Sequence, residues 1–239
     1  MAAMRYGRSL FQTNKTYTVH EFKNRKEWLE GLKDLHGIGG SDAAAALGLN
    51  PWRSNLDLWE IKTGRKAAPD ISDNERVRYG QNAEEYIRRL FQLKHELEYE
   101  IQYKKDVILQ NNDHPEFLYS PDGLILTIDG RKGILEIKTT TIMKSYDKEK
   151  WFDRKTREKR LPDNYYIQIL HGLNVTGFEF VDLYAELTYP SGNSELVPYH
   201  IERSDPAVAE DLRWIANGIS EFWEKVEKDE EQALLLPAI

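Results

Sequence analysis

Cysteine is absent from this 239-residue chain. Its absence excludes disulfides, thiolate zinc sites and cysteine-ligated iron–sulfur clusters, and makes an intracellular, cytoplasmic location the expectation. The Asn-x-Thr triplets at Asn14 and Asn174 are accordingly read as chance. No apolar run approaches the roughly 20 residues needed to span a bilayer, and no signal-peptide pattern is present, so no membrane partner is expected. The histidines at 20, 36, 95, 114, 171 and 200 never fall in an H-x₃-H spacing, which argues against a zinc hydrolase. There is no G-x-S-x-G and no Gly-Lys-Ser/Thr phosphate loop. Excess positive charge is lacking too. The net charge of −7 speaks against a surface adapted throughout to nucleic acid. It leaves room for a local basic channel, because salt confines surface fields to about 8–10 Å. Hydrophobic residues make up 40% of the chain, an ordinary share for a globular protein, and the length suits one large domain or two small ones.

What is present concentrates in Phe117 to Thr140, FLYSPDGLILTIDGRKGILEIKTT. Two runs rich in Ile and Leu flank the turn former Asp129-Gly130, which predicts a β-hairpin. Glu136 and Lys138 are two apart on its second strand and project from one face. Asp122, where the first strand begins, can cross the hairpin to join them. Two carboxylates and an ammonium in one small volume have the chemistry of a divalent-metal site that cuts phosphodiesters. The oxygens suit a hard cation, Mg²⁺ or alternatively Mn²⁺, and the lysine can orient or deprotonate water and offset charge on phosphorus. An E-x-K triplet alone also decorates many solvated strand faces. Its weight here comes from the Ser-Pro-Asp-Gly turn before it and from motifs elsewhere.

Along the chain, Asn24 with Glu27 is a capping-box pattern opening a helix towards Leu35. Gly37-x-Gly39-Gly40-Ser41 precedes a short Ala-rich helix that Ser41 can cap and Gly48 can close. Its backbone N–H groups and the Ser41 hydroxyl can cradle a phosphate, although a tight turn explains the pattern equally well. Ser54 caps a helix to Lys62. A long helix from about Asn74 to His95 buries Gly80, Ala83, Ile87, Leu90 and Phe91 by periodicity. Glu84 falls on that face, which is costly unless the carboxylate is paired or metal-bound. Gly80 costs about 1 kcal/mol relative to Ala in mid-helix. Together they predict a close approach at Gly80 and a polar site at Glu84, or else a buried Glu satisfied by an Arg.

Glu98 to Gln110 reads as a strand, Asn164 to Val175 as a helix, and Phe178 to Leu187 and Glu195 to Glu202 as two further strands. Ser204-Asp205-Pro206 opens a last helix. The cationic stretch Lys144 to Arg160, with Trp151 and Phe152, is either a functional surface or a solvated loop. Gln168 faces substrate or solvent. The apolar tail Ala233 to Ile239 is expected to dock on the body or on another subunit. No linker interrupts residues 1–239, so the expectation is a single α/β domain with a mixed central β-sheet flanked by helices. An N-terminal arm reaches about residue 20, and a C-terminal helix and tail begin near 204.

GIGGSDAAAALGLNPW, Gly80-x₃-Glu84, SPDG, LEIKTT and YYIQILHGLNVTG, in that order over residues 28 to 185, resemble the YqaJ-type viral recombinase exonucleases. These are relatives of phage lambda exonuclease in the PD-(D/E)xK nuclease superfamily, whose core is restriction-endonuclease-like. The resemblance implies that Asp122, Glu136 and the Ile137 carbonyl ligate metal and that Lys138 is the catalytic lysine. Glu84 would act on a second ion or its water, and Gln168 would lie near the scissile phosphate. Ser41 and Ser120 would contact the 5′-phosphate. The family's Arg before the glycine cluster is missing, so Lys33 or His36 would stand in, or an Arg would arrive from elsewhere in the chain. A further acidic position falls on Asn112, beside Asp113, and stays unassigned. The resemblance implies a 5′→3′ exonuclease on ends of double-stranded DNA with two Mg²⁺ ions per site. It also implies a homo-oligomer, typically a trimeric ring, and a single-strand annealing partner in phage or prophage recombination. A related endonuclease or repair nuclease, or a non-catalytic DNA-binding protein on the same fold, are the alternatives.

Overall fold

The structure, a computed structural model, describes residues 9–71 and 73–235. The first eight residues of the expected arm and residues 236–239 of the tail lie outside them. The described elements run β1 (Tyr17–Glu21), α1 (Arg25–Asp34), α2 (Gly40–Ala46), α3 (Asn55–Lys62), α4 (Glu75–Lys94), β2 (Tyr99–Gln102), β3 (Val107–Asn111), β4 (Leu118–Tyr119), β5 (Gly123–Thr127) and β6 (Lys132–Thr141). They continue with α5 (Ser145–Glu149), α6 (Asp163–Thr176), β7 (Phe180–Thr188), β8 (Ser194–Glu202) and α7 (Pro206–Glu227).

The central sheet has five strands in the order β2-β5-β6-β7-β8. It is mixed: β6 pairs antiparallel with β5 and parallel with β7. A parallel neighbour needs a long crossover, and the segment holding α5 and α6 supplies it. A second sheet, β1-β3-β4, is antiparallel and has three strands. The continuous strand expected over Glu98–Gln110 is therefore two strands in two different sheets. The break falls near Asp106, whose φ of +52° turns the chain through the left-handed region without a glycine.

Alternation along β5 and β6 serves two cores. Leu124 and Ile134 join the main core with Ala43–Ala46 of α2 and Ile169, Leu170 and Leu173 of α6. Ile125, Leu135 and Ile137 face the other way, against Ile87 and Phe91 of α4. Leu90, expected on that face, is 38% exposed, and Arg88 is buried in its place.

Caps follow the sequence closely, with one exception. Asn24, Ser54, Asn74 and Asp205 cap α1, α3, α4 and α7 through their side chains. Gly39, not Ser41, is the N-cap of α2, leaving Ser41 inside the helix with an exposed side chain. The described part of the apolar tail is tied to the body through its backbone, while the Leu234 and Leu235 side chains stay exposed. The Asn55 side-chain amide donates to the Ala233 carbonyl at 2.7 Å, and its oxygen accepts from the Leu235 N–H at 2.9 Å. Among the described residues no helix is long and apolar enough to cross a membrane.

Candidate active site

β5 begins at Gly123, opposite Leu135, while β6 continues to Thr141. Extending the antiparallel register by one step puts Asp122 opposite Glu136. Beyond that point β6 has β7 on one side and an open notch on the other. Asp122 turns back into the notch and accepts the Ile137 N–H on Oδ2 at 2.8 Å. Glu136 and Lys138, on the α6 face, meet at 2.6 Å. Glu136 is 2% exposed and its carboxylate is nearly saturated. Lys138 Nζ and Gln168 Nε2 both donate to Oε1 at 2.6 Å, and the Tyr119 hydroxyl donates to Oε2.

The electrostatics follow from this crowding. Burial, then the neighbouring Glu136 charge, holds the Asp122 carboxyl well above the usual range, and Lys138 only partly offsets this. Burial alone would lower the Lys138 pKa, but Glu136 and Asp122 outweigh it and keep the ammonium protonated above its ordinary range. Burial raises Glu84, against the pull of Lys138.

Tyr119 is a site residue that the sequence reading missed. It belongs to the small sheet, and its ring reaches Glu136 between two glycines. A Cβ on Gly40 would lie 2.9 Å from the ring, and one on Gly172 would lie 2.6 Å from it. The glycine cluster thus has a packing purpose besides any phosphate. Close by, His171 of α6 is fully buried, with Nε2 3.1 Å from the carbonyls of both Ile38 and Leu118. Both partners are acceptors, so Nε2 carries the hydrogen. Burial lowers the ring's pKa to about 4 and keeps it neutral. It staples the glycine loop to β4.

The close approach expected at Gly80 is present: a Cβ there would meet Thr139 Oγ1 at 3.1 Å. This crossing of α4 over β6 brings Glu84, one turn later, to the notch. Arg88, a further turn on, was also missed. Its Nε donates to the Asp122 backbone carbonyl at 2.6 Å, and its guanidinium lies 3.5 Å from the centre of the Tyr103 ring. The Glu84-x₃-Arg88 spacing was a readable signal, since residues four apart share a helix face.

Ser120 Oγ donates to the Val107 carbonyl at 2.7 Å and accepts from Trp28 Nε1 at 3.3 Å, and Arg25 stacks on Trp28. Ser41 follows Gly40, which packs against Gln168 as well as Tyr119. Lys33 is exposed near the end of α1, and His36 packs edge-on against Trp223 of α7. Asn112 bonds to Asn14 and Thr18, away from the notch. Beyond Thr139 a groove of about 850 Å³ opens between α4 and the 144–163 segment. Its Arg76, Lys144, Lys150 and Arg160 are matched in number by Glu75, Asp147, Glu149 and Asp163, so the groove lining as a whole carries no net charge. Trp151 of that segment is buried, which makes part of it structural.

The donor set fits a hard cation. Asp122 and Glu136 are carboxylates in a low-dielectric notch, and the raised Asp122 pKa registers negative charge that a cation would stabilise. A carboxylate offers about four acceptor positions, and three donors occupy those of Glu136, so a place remains. Among the described residues, no three acidic or imidazole groups already close around a common point. The coordination shell would be completed by water and substrate oxygens, as Mg²⁺ prefers.

Comparisons with known proteins bear on the fold and the family. In fold, the chain resembles the alkaline exonuclease LHK-Exo from Laribacter hongkongensis, with a TM-score of 0.60 and 19% identity over 85% of this chain and 93% of that one. It matches LHK-Exo in complex with dAMP similarly, with a TM-score of 0.58 and 18% identity over 85% and 95% of the two chains. In sequence it is 32% identical over 200 residues to the uncharacterized protein YqaJ of Bacillus subtilis (strain 168). That match takes in 84% of this chain but only 56% of the relative's length. The model of the YqaJ-like viral recombinase domain matches residues 27–179, and the chain belongs to that family.

Proposed function

We propose that the chain is a Mg²⁺-dependent deoxyribonuclease that removes nucleotides 5′→3′ from one strand of linear duplex DNA and leaves a 3′ single-stranded overhang. The observation that carries this reading is the convergence of Asp122, Glu136 and Lys138 at the open end of β6, with Glu84 above them. Asp122, Glu136 and the Ile137 carbonyl would hold one ion, and Glu84 a second ion or its water. Bound there, a divalent ion supplies an acidified water and neutralises charge on the phosphate.

The chain's own groups divide the remaining work. Lys138, held protonated, orients the nucleophile and offsets charge gathering on the phosphoryl oxygens rather than serving as a base. Glu84, whose burial raises its proton affinity, takes the proton from the attacking water. The new O–P bond forms as the P–O3′ bond breaks. The released nucleotide keeps its 5′-phosphate and the shortened strand presents another. Gln168, hydrogen-bonded to Glu136 and beside Gly40, fixes the carboxylate and faces the phosphate. Ser41 and Ser120 are proposed to contact the 5′-phosphate. The dAMP bound by a relative of the same fold is a mononucleotide of this chemical class. By family resemblance, assembly as a ring and cooperation with an annealing protein belong to the same proposal.

Digestion of one linear duplex, with and without 5′-phosphates, beside the same DNA as a closed circle, tests this in Mg²⁺ and in EDTA. Metal-dependent loss of only the linear 5′-phosphorylated form is expected. Cutting of the circle would establish an endonuclease instead, and binding without cleavage a non-catalytic protein.

A further inference from the structure

Arg88 is a buried charge with no ion-pair partner among the described residues. Only 9% of the residue is exposed. Nε is taken by the Asp122 carbonyl and one face of the guanidinium by Tyr103. These two contacts fix the position and plane of the group yet use one of its five N–H donors. The terminal nitrogens have no hydrogen-bond partner among the described residues, and they are not sealed from solvent. No ion pair joins Arg88 to Glu84 or Asp122, although Glu84 feels its charge. Buried guanidinium groups are ordinarily paired with an anion, and a planar fork with its outer edge free suits two oxygens of one phosphate.

We propose that Arg88 is a phosphate-binding residue. Its outer edge grips an oxyanion on the α4 side of the notch, across from Lys138. That the oxyanion belongs to DNA rests on the nuclease reading above; that it is a phosphate rests on Arg88 itself. The competing anion is Glu84, one turn earlier on α4. If Glu84 satisfied Arg88 in solution, the fork would be closed to ligands.

The test uses inorganic phosphate as probe, in EDTA, followed by ³¹P line broadening and by the rise in Tm. Wild type is compared with Arg88→Met and Arg88→Lys. Wild type should respond, and Arg88→Met should lose the response at least tenfold. Arg88→Lys, which keeps the charge but not the fork, should lose at least threefold while staying folded by far-UV circular dichroism. It serves as the folded control if Arg88→Met does not fold. In a second arm, metal-free binding of a 5′-phosphorylated duplex end should weaken about tenfold in Arg88→Met. Its salt slope should become shallower by about 0.9, the loss of one phosphate contact. No phosphate response in wild type, or an undiminished one in Arg88→Lys, overturns the proposal. An Arg88-dependent response in a protein that cleaves no DNA would uphold the phosphate site and reject the nuclease reading. Cleavage by a wild type whose phosphate response is indifferent to Arg88 would do the reverse.

Discussion

The Tyr119 hydroxyl donates to Oε2 of Glu136, and so ties the three-stranded sheet to the central strand of the five-stranded one. One side chain thereby sets both the packing of two sheets and the aim of a carboxylate. Tyr119→Phe should cost about 1.5–3 kcal/mol, the range for hydrogen bonds to charged groups. It should also slow cleavage with little change in KM for DNA. Urea unfolding and steady-state kinetics measure the two effects.

Gly172→Ala should act through the same contact. The added methyl would meet Tyr119 at 2.6 Å and push the ring away from Glu136. Overpacking of this kind costs about 1–3 kcal/mol, and cleavage should fall with stability. Gly39→Ala is the comparison, because a Cβ there meets nothing within 4 Å. Because Gly39 is the N-cap of α2, the loss of stability should be limited to the capping cost of about 1 kcal/mol, with no effect on cleavage through Tyr119.

If the proposed nuclease function holds, Lys138→Ala should reduce cleavage by about 10²–10⁴-fold, the span typical of a positioned catalytic group, while far-UV circular dichroism stays unchanged. Because neighbouring carboxylates hold the ammonium protonated above its ordinary range, wild type should show no loss of activity attributable to Lys138 below pH 10. Full cleavage by the purified variant would remove Lys138 from the site.

Asp122→Asn should raise the Tm of the metal-free protein at neutral pH. A carboxyl whose folded pKa is raised holds its proton more tightly in the native state, so ionising it works against the fold. The gap between variant and wild type should be smallest below the unfolded value of about 3.9 and widen as pH rises towards the folded pKa. Adding Mg²⁺ should narrow it by stabilising wild type alone. Calorimetry in EDTA and in Mg²⁺ gives both outcomes.

His200 gives an independent pH dependence at the far end of the sheet. It bonds Asp182 at 2.7 Å and Glu202 at 3.0 Å, and the Asp182 hydrogen bond leads in raising its pKa to about 9. Its stabilisation is complete below the unfolded value of about 6.5 and is lost as pH rises through about 9. His200→Ala should therefore be destabilised at pH 6, with the difference closing by pH 10. The side chain is 45% exposed, so solvent screening limits the effect to about 1 kcal/mol.

The legible parts of this molecule were those set by local pattern. Asp129-Gly130 marked the hairpin, and the i, i+2 spacing of Glu136 and Lys138 put both on one face. Gly80 in mid-helix announced the approach of Thr139. The misses came from chain direction and partners distant in sequence. Asp106 turns the backbone without Gly or Pro, so β2 and β3 looked continuous. Leu90 outranked Arg88 on hydrophobicity, because periodicity cannot register an arginine held by a carbonyl of another segment. Tyr119 looked like an ordinary strand aromatic, since its role depends on how two sheets meet.

Glu136 and Lys138 stand on the third strand of five, bonded along its length to β7 and walled by two cores. Amide protons there should be among the last to exchange, whereas α5, which has no buried residue, should exchange early. A molecule nicked or frayed along the groove wall would therefore keep its carboxylate–lysine centre until global unfolding. Under the proposed function, damage would first alter what the protein grips, and only later whether it cuts.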